Sequence, residues 1–147
     1  MTLDNLTKRV QKYTNDKTSS IFTKNDIEDF INEAIDRCKA SVYFADMIKL
    51  QTLTQHPILL PSHYHYLLAI YAAARCFEMD EQHYQATQRM NEFEYKFEDL
   101  VQKIDNGDVK VVDGEGKEIE HINTTDYVRD VYFNKGNIDF DEGVEGV

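Results

Sequence analysis

The stretch LLAIYAAA, residues 67–74, places an apolar side chain on every face of a helix. Such a helix has to be surrounded by protein on most sides, because none of its faces favours contact with water. Its three consecutive alanines combine high helix propensity with small side chains that let neighbouring backbones approach closely. The stretch therefore predicts an all-α fold with a central helix. This helix is expected to start near Pro61-Ser62 and to end near Met79.

Hydrophobic spacing predicts two helices before this one. The first covers about residues 3–14, and the second follows an N-cap at Thr23 and extends to Cys38. Residues 40–60 lack a clear period and contain a proline, which predicts a loop. The apolar side chains that recur every three or four residues on the two helices are Leu3, Leu6, Val10 and Tyr13, then Ile27, Phe30, Ile31, Ala34, Ile35 and Cys38.

A fourth helix is predicted from an N-cap at Asp80 to about Asp105, ending at Asn106-Gly107. Its apolar stripe is formed by Ala86, Met90, Phe93, Phe97, Leu100, Val101 and Ile104. Tyr84 and Tyr95 lie almost opposite that stripe. They are either a subunit interface, where exposed aromatic residues are enriched, or two surface tyrosines with hydrated hydroxyl groups. The expected fold is a small four-helix bundle over residues 1–107.

The sequence changes character after Gly107. Short apolar runs flank Asp113-Gly114, a hairpin-type turn, and an isolated two-stranded hairpin is marginally stable in water. We therefore predict that residues 108–147 form an extended arm with a β-hairpin or short strands, ordered by a partner to whose sheet it adds a strand. The arm residues expected to contact that partner are Val109, Val111, Val112, Tyr127, Val128, Val131, Tyr132 and Phe133.

Acidic residues outnumber basic residues by 27 to 16, which gives a net charge of −11. Residues 105–147 alone contribute −8. This balance argues against a protein that grips nucleic-acid phosphates, and the cluster Lys8, Arg9 and Lys12 is interpreted as a solvated helix face. Two cysteines within apolar segments, no signal sequence and no apolar run long enough to span a bilayer favour a reduced, intracellular protein.

Arg75 follows the alanines of the central helix, and its stem is expected to be covered. A covered guanidinium needs a carboxylate or carbonyl partner, because leaving it unpaired costs several kcal/mol. Glu78, one turn later, is the nearest candidate, and Glu33 or Asp36 of the second helix are the alternatives. We predict a structural ion pair and no catalytic role.

The sequence contains no convincing motif for a catalytic or metal site. His63 and His65 are two residues apart on a predicted helix and would point to opposite sides, so one zinc ion cannot take both. Cys76 is predicted to be packed rather than exposed as a thiolate, and no serine lies in a nucleophile elbow. We predict no enzyme activity, no metal site and no cofactor.

The combination LPSHYHYLLAIYAAARCFEMDE, MNEFEYKFEDLVQKI and an Asn-Gly stop resembles the head-tail connector, or adaptor, family of long-tailed bacteriophages. The resemblance covers about residues 20–110. It marks Arg75, Phe77, Met79 and Asp80 as the recognisable core and turn, and it assigns them no chemistry. The arm after residue 108 is the part least similar to that family.

The resemblance implies a compact helical bundle with an extended terminal segment. It further implies a homo-oligomeric ring of twelve copies beneath the portal, joined to the next connector, or stopper, and then to the tail, with DNA passing through the channel. The chain would then belong to the neck of the virion, be assembled in the host cytoplasm and have no membrane partner. The alternatives are a small helical regulatory or DNA-binding protein, which would need a basic recognition helix, and a small enzyme.

Overall fold

The computed structural model describes residues 1–16, 18 and 20–119. Its four α-helices are α1 (Leu3–Thr14), α2 (Lys24–Cys38), α3 (Tyr66–Met79) and α4 (His83–Asp105). Short 3-10 helices occupy Val42–Phe44 and Ser62–Tyr64. The described part of the chain is all-α, as the sequence predicts, and its one β feature is an isolated antiparallel bridge.

Helix α3 is the centre of the bundle, which confirms the interpretation of its all-round apolar sequence. It packs against α1, α2 and α4, and its buried residues include all three alanines of 72–74. The small alanine side chains allow three helices to approach one helix at once. Phe93 and Phe97 bring α4 onto this core, with their rings stacked at a centroid distance of 5.6 Å.

The start of the third helix differs from the prediction. Residues 62–64 form a 3-10 turn, in which Tyr64 N–H donates to Pro61 C=O, and α3 itself begins at Tyr66. His65 lies between the two, with its ring 2.8 Å from Leu60 C=O. The prediction placed the helix start about four residues too early, because hydrophobic spacing does not distinguish a 3-10 turn from the first turn of an α-helix.

The predicted N-cap of α4 at Asp80 is wrong, since Asp80 ends α3 instead. Glu81 adopts a left-handed conformation (φ 58°), and Gln82 N–H donates back to Phe77 C=O at 2.8 Å. The same motif, in which the N–H that follows a left-handed residue donates to the C=O five residues earlier, ends α1 at Asn15 and α4 at Gly107. Asn and Gly tolerate the left-handed conformation well, whereas Glu gives no such signal in the sequence.

Between α1 and α2, Asp16 holds the turn. Its carboxylate is buried and accepts hydrogen bonds from the N–H groups of Ser20, Ile21 and Phe22 and from the Ser20 hydroxyl, all at 2.9–3.0 Å. These bonds, that from Phe22 most of all, lower the pKa of Asp16. The turn leads into α2, whose predicted cap at Thr23 accepts from Asp26 N–H.

The connection between α2 and α3 contributes much more to the core than its weak period indicates. The core contains four side chains from this connection, those of Phe44, Met47, Leu50 and Leu60. The side chain of Asn32 on α2 holds the segment by accepting from Leu50 N–H at 2.7 Å and donating to Leu50 C=O at 2.9 Å. A side-chain amide thus replaces the regular backbone pairing that the connection lacks.

Candidate assembly surface

The α4 face opposite the core carries two exposed tyrosines. The exposed fraction is 72% for Tyr84 and 75% for Tyr95, and Gln88 donates from its amide to the Tyr84 hydroxyl at 3.0 Å. With Asn91 these residues form one stripe along α4, at a spacing of three or four residues, and none of the four is charged. A stripe of aromatic and uncharged polar residues is typical of the centre of a protein interface.

Next to this stripe, a surface groove of about 510 Å³ lies between the end of α1, the end of α3 and the start of α4. Its lining residues are Tyr13, Phe77, Gln85, Gln88, Arg89 and Glu92. The Arg89 guanidinium lies 4.6 Å from the centroid of the Tyr13 ring and 3.0 Å from a Glu92 oxygen. Sequence reasoning missed this groove, because its residues come from three helices and share no motif.

Arg75 lies at the junction of α3 and α2. It pairs with Glu78 one turn later and also with Glu33 of α2, whose Oε1 is 2.7 Å from Arg75 Nε. The Nε–H does not point at that oxygen, so the contact is an ion pair rather than a hydrogen bond. Glu33 additionally accepts from the Tyr71 hydroxyl at 2.9 Å. The third candidate partner, Asp36, lies instead near Lys49, at 3.8 Å.

Replacement of Arg75 by methionine is expected to lower the free energy of unfolding by about 1 kcal/mol, because Glu33 and Glu78 both lose their cation while the side-chain stem stays covered. Urea denaturation of the full chain measures the difference. The matched control is Lys49→Met, which removes an exposed 3.8 Å pair and is expected to leave stability unchanged within about 0.5 kcal/mol. Equal effects of the two substitutions would contradict the structural role of Arg75.

The predicted arm residues divide into three groups. Val111 is buried in the core and Val109 packs against it, whereas Val112 is 41% exposed and forms the isolated bridge with Glu118. Val111 can therefore reach a partner only if this segment leaves the bundle. The remaining predicted contacts, Tyr127, Val128, Val131, Tyr132 and Phe133, lie outside the described residues.

The two cysteines of the bundle are held as neutral thiols. Cys38 and Cys76 are buried, and burial raises the pKa of each thiol to about 12, so neither forms a thiolate near neutral pH. In the part of the chain that the structure describes, no three His, Cys, Asp or Glu side chains lie together as a metal site would require.

His65 is 4% exposed and joins two segments of the bundle. Because Leu60 C=O is only an acceptor, His65 Nε2 carries the proton of the 2.8 Å hydrogen bond to it. Nδ1 then accepts from the amino group of Met1 at 2.7 Å. Burial, together with the charge of the Met1 amino group, lowers the pKa of His65 to about 4, so the ring is neutral at pH 7.

The residues described thus define a small helical-bundle protein with buried cysteines and an exposed aromatic face on α4. Comparison with protein families, with curated proteins and with solved structures found no match. None of the described helices combines the length and the apolar character that crossing a bilayer requires. The resemblance to phage connectors is carried by the sequence of residues 20–110.

Proposed function

We propose that the chain is a head-tail connector protein of a long-tailed bacteriophage. The observation that carries the proposal is the resemblance of residues 20–110, from the Leu-Pro that precedes the central helix through AAARCFEMDE. The helical bundle supports it, because members of that family have a compact helical bundle. Buried, unreactive thiols and an exposed uncharged face on α4 suit an assembly protein better than an enzyme.

In this proposal twelve copies form a ring that binds the portal on one side and the stopper or a tail protein on the other. DNA passes through the channel of the ring. A net charge of −11 suits this role, because acidic groups repel DNA phosphates and let the duplex slide rather than adhere. The protein then acts in the neck of the virion after assembly in the host cytoplasm.

The portal contact is assigned to the C-terminal arm. Val111 is part of the bundle core, so the contact falls on Val112 and on the apolar residues of the YVRDVYF segment, 127–133. Short strands of the arm would pair with the edge of a sheet in the partner, which supplies main-chain hydrogen bonds without a deep pocket.

Two truncations test this assignment by co-purification with the portal protein. A chain ending at Ile119 is expected to keep the thermal stability of the full chain and to lose portal binding. A chain ending at Gly107 is expected to unfold at a lower temperature as well, because Val109 and Val111 no longer cover the core. Undiminished portal binding by the chain ending at Ile119 would refute the arm assignment.

The purified full chain also distinguishes a connector from a DNA-binding regulator. The full chain is expected to bind the portal and to leave the mobility of duplex DNA unchanged at physiological salt. A retarded DNA band without portal binding would favour the DNA-binding alternative, since such a protein must neutralise phosphates.

A further inference from the structure

Two complementary features lie at different places on this chain. One is the groove between α1, α3 and α4, whose aromatic walls are Tyr13 and Phe77 and whose amides are Gln85 and Gln88. The other is Tyr95, which projects from α4 with 75% of its surface exposed. A groove with aromatic walls and polar groups suits a tyrosine, because the ring needs apolar contact and the hydroxyl needs a hydrogen-bond partner.

The charges inside the groove do not oppose the approach of another acidic chain. Arg89 and Glu92 are its charged residues, and they neutralise each other across 3.0 Å. The stripe beside the groove, which contains Tyr84, Asn91 and Tyr95, is uncharged. For a protein of net charge −11, contact between copies is least repulsive at such a place.

The α1 rim of the groove and the flank of Tyr95 have opposite charges. Arg9 and Lys12 are exposed on α1, and Arg9 lies one turn before Tyr13 at the groove. Glu98 is exposed on α4 and lies one turn after Tyr95 on the α4 face. Tyr95 therefore brings an acidic rim toward a basic one, which favours one orientation of approach.

We propose that Tyr95 of one copy inserts into the groove of a second copy, between Tyr13 and Gln85. Because the inserted residue and the groove are different surfaces, the contact is heterologous and can repeat from copy to copy until a ring closes. The inference rests on the proposed assembly of several copies and names the surfaces that join them. In this contact Arg9 and Lys12 form an interface rim, whereas the sequence alone favours a solvated face.

Photo-cross-linking of the full chain tests the contact directly. A benzophenone analogue of phenylalanine at position 95 preserves an aromatic ring there, and mixing with an isotope-labelled, unsubstituted chain identifies bonds between copies. The bonds are expected in the tryptic peptides 13–17 and 76–89, which contain the groove residues Tyr13, Phe77, Gln85 and Gln88. The matched control places the analogue at Val42, which is 60% exposed on another segment and should not label these peptides.

Charge exchange supplies a second, independent readout. Arg9→Glu and Glu98→Arg are each expected to weaken self-association about fivefold, as measured by sedimentation equilibrium. An equimolar mixture of the two variants should recover association, because each basic rim then meets an acidic one. Tyr95→Ala is expected to weaken association about 30-fold, as removal of a central aromatic residue does.

Three results would overturn the proposal. They are cross-links from position 95 to the peptide that contains Tyr95 in the second copy, the absence of cross-links between copies, and no recovery in the mixture of charge variants. Portal binding without these cross-links would refute the interface and leave the connector function standing. Groove cross-links in a protein that does not bind the portal would support the interface and refute the connector function.

Discussion

Replacing Phe93 by alanine is expected to lower the free energy of unfolding by about 4 kcal/mol. Phe93 is fully buried, stacks on Phe97 and meets the Tyr71 ring edge-on at a centroid distance of 5.2 Å. Its removal therefore opens a cavity between α4 and α3 and also breaks aromatic contacts. Guanidinium denaturation, monitored by helical circular dichroism, measures the change.

Tyr95→Ala is the control, because it removes an aromatic ring from the same helix at an exposed position. It is expected to change stability by less than about 0.5 kcal/mol. The pair of variants separates two roles of aromatic residues on α4, one in folding and one in the proposed contact between copies. A loss for Phe93→Ala as small as that for Tyr95→Ala would mean that α4 does not pack on α3 through Phe93.

Acidification from pH 7 to pH 4 is expected to remove about 3 kcal/mol of stability through His65 alone. The pKa of His65 is about 4 in the fold and close to 6.5 in an unfolded chain. Between these values the unfolded state binds more protons than the folded state, so stability rises with pH and is lost as pH falls through this window. The groups around the ring, the Met1 amino group, Leu60 C=O and His56, offer no carboxylate to a protonated imidazole.

The control for this pH dependence is the substitution His65→Gln. A glutamine amide can donate to Leu60 C=O and accept from the Met1 amino group, and it does not titrate. Urea denaturation at pH 7, 5.5 and 4 should give a flatter dependence for this variant than for the unsubstituted chain. Because the pKa of Asp16 is lowered in the fold, protonation of this carboxylate also reduces stability as the pH falls. That loss occurs at pH values below those at which His65 titrates. An identical pH dependence in the two proteins would contradict a buried neutral His65.

The periodic segments of the sequence predict the helices well. Thr23 predicts the N-cap of α2, and the stripe from Ile27 to Cys38 predicts its buried face. The fully apolar stretch 67–74 predicts the central place of α3. These predictions succeed because an amphipathic or wholly apolar helix has one way to bury its side chains, whatever its neighbours are. Predicted element boundaries fail at Asp80 and at Pro61, where the turn type depends on hydrogen bonds rather than on hydrophobicity.

Residues that act across long sequence separations are not visible in the sequence. In the sequence, Asn32 is only a polar residue of α2, although its side chain holds the backbone of Leu50, 18 residues later. The groove beside Tyr13 joins residues from three helices, and Val111 enters the core from a segment whose sequence resembles an exposed strand. No local pattern identifies such contacts.

By itself, the sequence determined the helices, the central position of α3, the acidic balance and the exposed tyrosines of α4, because each follows from local spacing or from composition. The tertiary structure alone decided that Arg75 pairs with both Glu33 and Glu78, that residues 40–60 supply core side chains and that Arg89 and Tyr13 wall a groove. The physical reason is that local propensity acts within a few residues, whereas a groove, an ion pair between two helices and a loop that fills the core exist only after distant segments have packed together.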